Sequence, residues 1–427
     1  MHAAPLLPPE LYDQAIDHLW DDPKSLAACA LTCRGWVGTS CLHLFRTVRI
    51  QNARQCARFA ALLASAPIIA RYVRRLTISA EYVGVDAAGR PVEDDAWVDS
   101  AGAFVRLLVN VTTIGLSRVR WHALRQETRE AFVECFARVR MLFLFEARFA
   151  ASRDVLDFLG AFPLLSELYF HGVAWDKESP APLNATAAVP AVPALRRETE
   201  CMQLSYLFLD PRSSPTLVTE WLLSHPTEQH LRTIQLCWRE VESMKLVGDL
   251  LHASGAALER LLVEFPSGVP EAAVLHNQVS LVHNTGLRSV HFGGLDAKAA
   301  ASQGFMSNQL FPWVTAMISQ ISSRELEDVS FEFEITSLAD LNSLDWARID
   351  RDLAREEYKG LQVLFYVVCH DMEPSVKKKI SGLVAERLHS LHERGTLVIA
   401  VIGLWYYLIA GPWSCIPFHI GRIDPPG

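Results

Sequence analysis

The chain has 427 residues, of which 50% are apolar and 21% charged, with a net charge of −8 and a pI near 6.0. This composition excludes a disordered chain, and the acidic balance argues against a sequence-independent nucleic-acid surface, which needs a basic face. The length suits two or three compact domains or one elongated repeat array.

From the N-terminus, Leu11, Ala15, Ile16 and Leu19 recur at helical steps after a Pro-Pro-Glu start, which predicts a short amphipathic helix beginning near Pro9. Asp21-Asp22-Pro23 ends that helix and caps a second, whose apolar stripe is Leu26, Cys29, Ala30 and Cys33. Leu42, Leu44 and Phe45 close the unit. Three short helices in some forty residues bury too little apolar surface to stand alone, so the unit must lean on something else.

Leu7-Pro8-x-Glu10-Leu11, the pair Ile16 and Leu19, Leu31-x-Cys33-Arg34-x-Trp36 and the closing Leu44-Phe45 follow one another in the order of an F-box, which this stretch resembles. Leu31 stands where that family has Val. The resemblance covers about a tenth of the chain. It implies a module that docks onto the Skp-family adaptor, and through it the cullin, of a ubiquitin ligase. Leu7, Pro8, Leu11, Ile16, Leu19, Leu31 and Trp36 would form or support the adaptor contact. The alternative reading is a plain helical cap over the first edge of a larger domain.

Thr47 to Ile50 alternates as a strand, and Ala53 to Ser65 reads as a helix ended by Ala66-Pro67. A run of the form apolar-x-x-apolar-x-apolar then recurs ten times, from Val73-Arg-Arg-Leu-Thr-Ile78 to Leu361-Gln-Val-Leu-Phe-Tyr366, at spacings of 26 to 39 residues. Each run is the strand part of a leucine-rich repeat, and such units bury their apolar faces only by stacking. The fold class expected is α/β. An N-terminal three-helix F-box in residues 1–50 precedes a leucine-rich-repeat-like β/α solenoid in 51–396, with a concave parallel sheet and about ten repeats. F-box plus irregular leucine-rich repeats resembles a receptor layout abundant in mushroom-forming fungi. The asparagine that ladders regular repeats is missing after most strands.

Two insertions interrupt the pattern. Tyr82 to Ala96, with Gly84, Gly89, Pro91 and Glu93-Asp94-Asp95, and Asp176 to Pro193, rich in Pro and Ala, both read as mobile surface loops. At the C-terminus, 397–427 reads as a last strand followed by an atypical apolar tail. Leu397 to Ile409 is nearly all apolar, but Gly411-Pro412 stops the run short of the roughly eighteen residues a spanning helix wants. A membrane anchor through 397–418 is the lesser reading.

No catalytic motif emerges: there is no Gly-rich phosphate loop, no Gly-x-Ser-x-Gly and no His-Glu-x-x-His. His276 with His283, and His370-Asp371, are the nearest candidates for acid–base work, and packing or surface roles are the commoner fate of such histidines. The nine cysteines lack a Cys-x-x-Cys pair and sit mostly in apolar segments, so neither a metal nor another cofactor is expected, and a cytoplasmic or nuclear location fits. Asn110 and Asn184 open glycosylation triplets that read as chance in the absence of a signal peptide.

Binding is the expected role. Along each strand the residues between buried leucines point away from the core, offering Met141, Phe143 and Phe145, then Glu167, Tyr169 and His171, then Tyr206, Phe208 and Asp210. Arg260, Glu264, Asp328, Ser330 and Glu332 continue the row. Aromatic side chains with polar surroundings suit a protein contact. Together with what the F-box resemblance implies, the chain is expected to be a non-enzymatic substrate receptor of an SCF-type ubiquitin ligase with an unknown protein target. The alternatives are an F-box scaffold that directs no degradation, and a membrane-tethered repeat protein.

Overall fold

A computed structural model describes residues 8–85, 91–136, 138–178, 202–210, 213–224, 230–266, 269, 274, 279–297, 310–369 and 373–403. The chain forms two compact units, one from Met1–Phe208 with Arg212–Val218, the other from Leu209–Pro211 with Thr219–Gly427.

The first unit opens with three helices, α1 (Pro9–Asp17), α2 (Pro23–Thr32) and α3 (Arg34–Arg46). Pro9 and Pro23 each occupy the first helical turn, where a missing N–H costs nothing. Asp22 caps α2, its Oδ1 accepting from the N–H groups of Lys24 and Ser25 at 3.1 Å each. The Ser25 hydroxyl also donates to Asp22 Oδ2 at 2.5 Å, and this bond, ahead of the backbone ones, holds the Asp22 carboxyl below its usual range. Cys33, in extended backbone, breaks α2 from α3.

Strand β1 (Thr47–Ile50) follows, and the helix Ala53–Ser65 buries Cys56, Phe59 and Leu63. Next come β2 (Arg75–Ser79), β3 (Glu81–Val85), β4 (Pro91–Asp94) and β5 (Thr113–Ser117). They are followed by β6 (Met141–Phe145), β7 (Arg148–Ala151), β8 (Glu167–His171), β9 (Ala174–Lys177) and β10 (Tyr206–Leu209). The main sheet of this unit has the order β1-β2-β5-β6-β8-β10, and its pairs from β1 to β8 are parallel. Its core side carries Leu76, Ile78, Ile114, Leu116, Leu142, Leu144, Leu168 and Phe170, all buried. Trp121 packs there against Phe158 at a centroid distance of 4.5 Å.

The second unit repeats the plan with β11 (Thr233–Cys237), β12 (Arg260–Glu264), β13 (Ser289–Asp296), β14 (Asp328–Ile335), β15 (Gln362–Cys369) and β16 (Leu397–Gly403), paired parallel in chain order. Helices such as Met244–Ser254, Pro312–Ile318, Trp346–Leu353 and Pro374–Arg387 separate successive strands. On the core side Phe292, Phe331 and Phe365 stack at 5.3 and 4.3 Å, one per strand in register.

The recurring apolar runs locate every main strand from β2 to β15, each strand starting one or two residues into its run. The first apolar residue of each run is buried just before its strand. Val111, Val139, Leu165, Leu287 and Leu361 donate their N–H three residues back, to Leu108, Phe136, Phe162, Asn284 and Tyr358. After the first four of these the next two N–H groups share the carbonyl just ahead of a neighbouring strand, as Ser166 and Glu167 do on Arg140, whereas Gln362 and Val363 donate separately to Glu327 and Thr396. A tight turn therefore feeds these strands, and pairing starts two residues into the run, or one residue in at β15.

Two further departures appear. The expected loop from Tyr82 to Ala96 contains most of the antiparallel pair β3 and β4, where Val83 and Val85 alternate as a strand although Gly84 and Pro91 are loop signals. Short strands β7 and β9 pair parallel beside the main sheet. They follow a bend in which Arg118, Glu146 and Gly172 all adopt left-handed backbone, with φ of 55°, 52° and 60°. The expected last strand is present at Leu397–Gly403, and among the described residues no helix is long and apolar enough to cross a membrane. The expected loop beyond 178 and the tail beyond 403 fall outside the described residues.

Candidate functional site

Two surfaces of the first unit carry the residues expected to function. On the helical one, α1 is fastened to α3 by the Thr39 hydroxyl donating to Asp13 at 2.5 Å and by His43 Nε2 on Asp17 Oδ1 at 2.7 Å. Tyr12 packs on Trp36 with ring centroids 5.4 Å apart. Ile16 is only 3% exposed and Leu26 is buried with it, so Ile16 belongs to the core of the helical unit and supports a contact only from beneath. Leu19 and Trp36 are half-buried. Pro8 is exposed, Leu11 is 46% exposed and Leu31 is 89% exposed. Leu7 lies outside the described residues. Trp20 and Val37, which hold no position in the F-box-like pattern, are exposed as well.

The second surface is the side of the sheet away from the core. Register places Thr47, Arg75, Thr113, Met141 and Glu167 in one row and Arg49, Thr77, Gly115, Phe143 and Tyr169 in the next. Ser79, Ser117, Phe145 and His171 form the third. Tyr169 is stacked on both sides, 4.2 Å from Phe143 and 4.7 Å from Tyr206 by ring centroids. Phe145 stacks on His171 at 4.4 Å, and Phe208 lies parallel to His171 at 6.2 Å. Eight of the nine residues assigned to this face, Met141 to Phe208, are therefore together on one unit.

Asp210 is the exception. It is buried and belongs to the second unit. Phe208 is also buried, so it backs the face and offers little surface of its own. The continuation expected in the second unit is open only in part. Arg260 is exposed and Glu332 half-buried, but Ser330 is buried beside His291, with the His291 Nδ1 2.7 Å from its hydroxyl. Asp328 accepts from the Ser289 hydroxyl at 2.7 Å, and Glu264 pairs with Arg239. The positions Gln235, Leu262, His291 and Ser330 are all buried, so this part of the sheet is covered on both sides, the usual state of a parallel sheet.

The electrostatics of the aromatic face are uneven. The Tyr169 hydroxyl donates to Glu167 Oε2 at 3.2 Å. Burial raises the Glu167 carboxyl above its usual range, against the opposing pull of that hydrogen bond and of the Arg75 charge. Burial raises the Tyr169 phenol too, reinforced by Tyr206 and Glu167. Arg75 is lowered, first by burial and then by the like charge of Arg46. At the far end of the strands the Arg118 guanidinium sits over the Tyr82 ring, 4.7 Å from its centroid, and the Tyr82 hydroxyl donates to Glu146 at 2.9 Å.

The basic side of this face was overlooked in the sequence, although the signal is plain. From Pro23 to Ala80 there is no Asp or Glu, against Lys24 and eight arginines. Among the described residues, none of Arg46, Arg49 and Arg75 enters an ion pair with a carboxylate.

For acid–base chemistry the structure assembles little. His283 packs edge to face on His252 at 4.3 Å, and His276, His370 and Asp371 fall outside the described residues. No three His, Cys, Asp or Glu side chains gather as metal ligands among the described residues. What the first unit presents is exposed apolar side chains on the helices and an aromatic-to-basic face on the sheet. No protein-family model matches the chain, and no curated protein matches it.

Proposed function

We propose that this chain is the substrate-recognition subunit of an SCF-type ubiquitin ligase. In this reading the helical unit is an F-box that binds the Skp-family adaptor. The strands and helices after it form leucine-rich-repeat-like units whose sheet binds a target protein. The observation that carries the reading is the exposure of Leu11 and Leu31 on α1 and α2, at positions where the resemblance puts adaptor contacts. The stacked Phe143, Tyr169 and Tyr206 support the second half, since rigid rings bury much area at little entropic cost. The chain itself performs no chemistry; it raises the local concentration of a target beside the ligase's conjugating enzyme.

Protein half-lives in cells that carry the wild-type chain, lack it, or carry Leu31→Asp test this directly. The reading requires a small set of proteins whose half-lives lengthen both on deletion and with Leu31→Asp. An F-box scaffold would leave all half-lives unchanged.

A further inference from the structure

The acid-free segment 23–80 folds as α2, α3, β1, the helix Ala53–Ser65 and β2, which brings Arg46, Arg49 and Arg75 to the β1–β2 side of the first unit's sheet, in a chain of net charge −8. Arg49 and Arg75 stand on the face opposite the core, in register with Thr77 and Thr47. Arg46 is near enough to depress the proton affinity of Arg75, and the carboxylate drawing Arg75 the other way is Glu167, three strands along. Between this basic side and the aromatic row lies Gly115, which puts no side chain between Thr77 and Phe143. The Thr77 methyl and hydroxyl already lie 3.2 Å from where a Cβ would be.

We infer that this face takes an extended acidic peptide laid across the strands, its carboxylates at Arg46, Arg49 and Arg75 and an apolar or aromatic side chain against Phe143, Tyr169 and Tyr206. The inference rests on reading the face as the target site and is independent of the adaptor contact. Strands lie about 4.8 Å apart, so the path from β2 to β6 or β8 is about 10–14 Å, or three to four residues at about 3.4 Å each. Glu167 lies at the aromatic end, where it repels a second carboxylate and sets the polarity of the peptide. The rings themselves argue against a single-stranded nucleic acid. Stacking of successive bases needs several open ring faces, and those between Phe143, Tyr169 and Tyr206 are already turned to one another.

Selection of a displayed random-peptide library on the immobilised full chain tests this, followed by fluorescence anisotropy of the enriched peptide. Wild type, the double variant Arg49→Ala/Arg75→Ala and Tyr169→Leu are compared, with circular dichroism and thermal melting as fold controls. Enriched peptides should carry Asp or Glu three or four residues from Phe, Tyr or Leu. They should lose about tenfold in affinity to the double arginine variant and weaken with added salt. The same peptide with phosphoserine at the acidic positions separates the two anion sources, binding more tightly if the site prefers a phosphoryl group. Neutral or basic peptides that still require Tyr169 would overturn the acidic class while leaving the target face standing. Enrichment of nothing, or binding indifferent to every variant, would overturn both. Binding of a single-stranded oligonucleotide that disappears in the double arginine variant would also overturn the inference.

Discussion

The rings of Phe143 and Tyr169 lie face to face across β6 and β8, with centroids 4.2 Å apart and planes 17° from parallel. The pair holds its geometry because the two residues are exact register partners, and Tyr206 extends it on the other side of Tyr169. Replacing Tyr169 by Leu removes two stacked neighbours worth about 0.5–1.5 kcal/mol each. The urea midpoint should fall, and a cycle with Phe143→Leu should return a coupling of the same order as one such contact. Tyr169→Phe keeps the stack and loses only the hydroxyl bond to Glu167, a loss of about 1 kcal/mol.

Glu167 gives a pH signature of its own. Its carboxyl is raised above the usual range chiefly by burial, so the protonated form is favoured by folding. Its contribution to stability is therefore fullest below the ordinary carboxylate range and is lost as pH rises through the folded value. Glu167→Gln keeps an acceptor for the Tyr169 hydroxyl and removes the charge. The variant should gain stability over wild type at neutral pH, and the difference should vanish in acid, as read by urea midpoints from pH 3 to 8.

His291 has the opposite dependence. It is fully buried on β13, and burial pushes its imidazole down to about 3. Folding favours the neutral ring, so the stability this group supports is present above its ordinary value near 6.5 and is lost as pH falls from there toward about 3. His291→Leu should flatten that part of the pH profile. At neutral pH it strands the Ser330 hydroxyl and should cost about 1–3 kcal/mol.

On the helical unit, exposure separates two kinds of substitution that the apolar pattern alone treats alike. Ile16→Asp puts a charge into the core between the helices and should melt the unit, visible as lost helical dichroism. Leu11→Asp and Leu31→Asp place the charge on the surface, and the melting temperature should stay within about 2 °C of wild type.

Much of the sheet was legible in the sequence because a parallel strand announces itself by buried residues at fixed steps, and Leu142/Leu144 or Leu168/Phe170 do so without ambiguity. The side-chain alternation placed Phe143, Tyr169 and Tyr206 on one face for the same reason. Three things were not legible. Arg118 and Glu146 take left-handed backbone like Gly172, yet neither residue type advertises it. Val83 and Val85 alternate as a strand but sit exposed in a hairpin, so no core periodicity marks them. Burial on both sides around Leu262 and His291 depends on what covers the sheet, which alternation cannot report. At the candidate site, position in a motif distinguished apolar from polar residues but not Ile16, buried, from Leu31, exposed.

The most direct measurement is binding of the purified full chain to the Skp-family adaptor, by calorimetry and by co-purification with the cullin, comparing wild type with Leu11→Asp/Leu31→Asp. The account predicts a stable complex with wild type and its loss in the double variant, with the fold of the variant intact. No complex with the wild-type chain, or one that the folded double variant forms equally well, would contradict it.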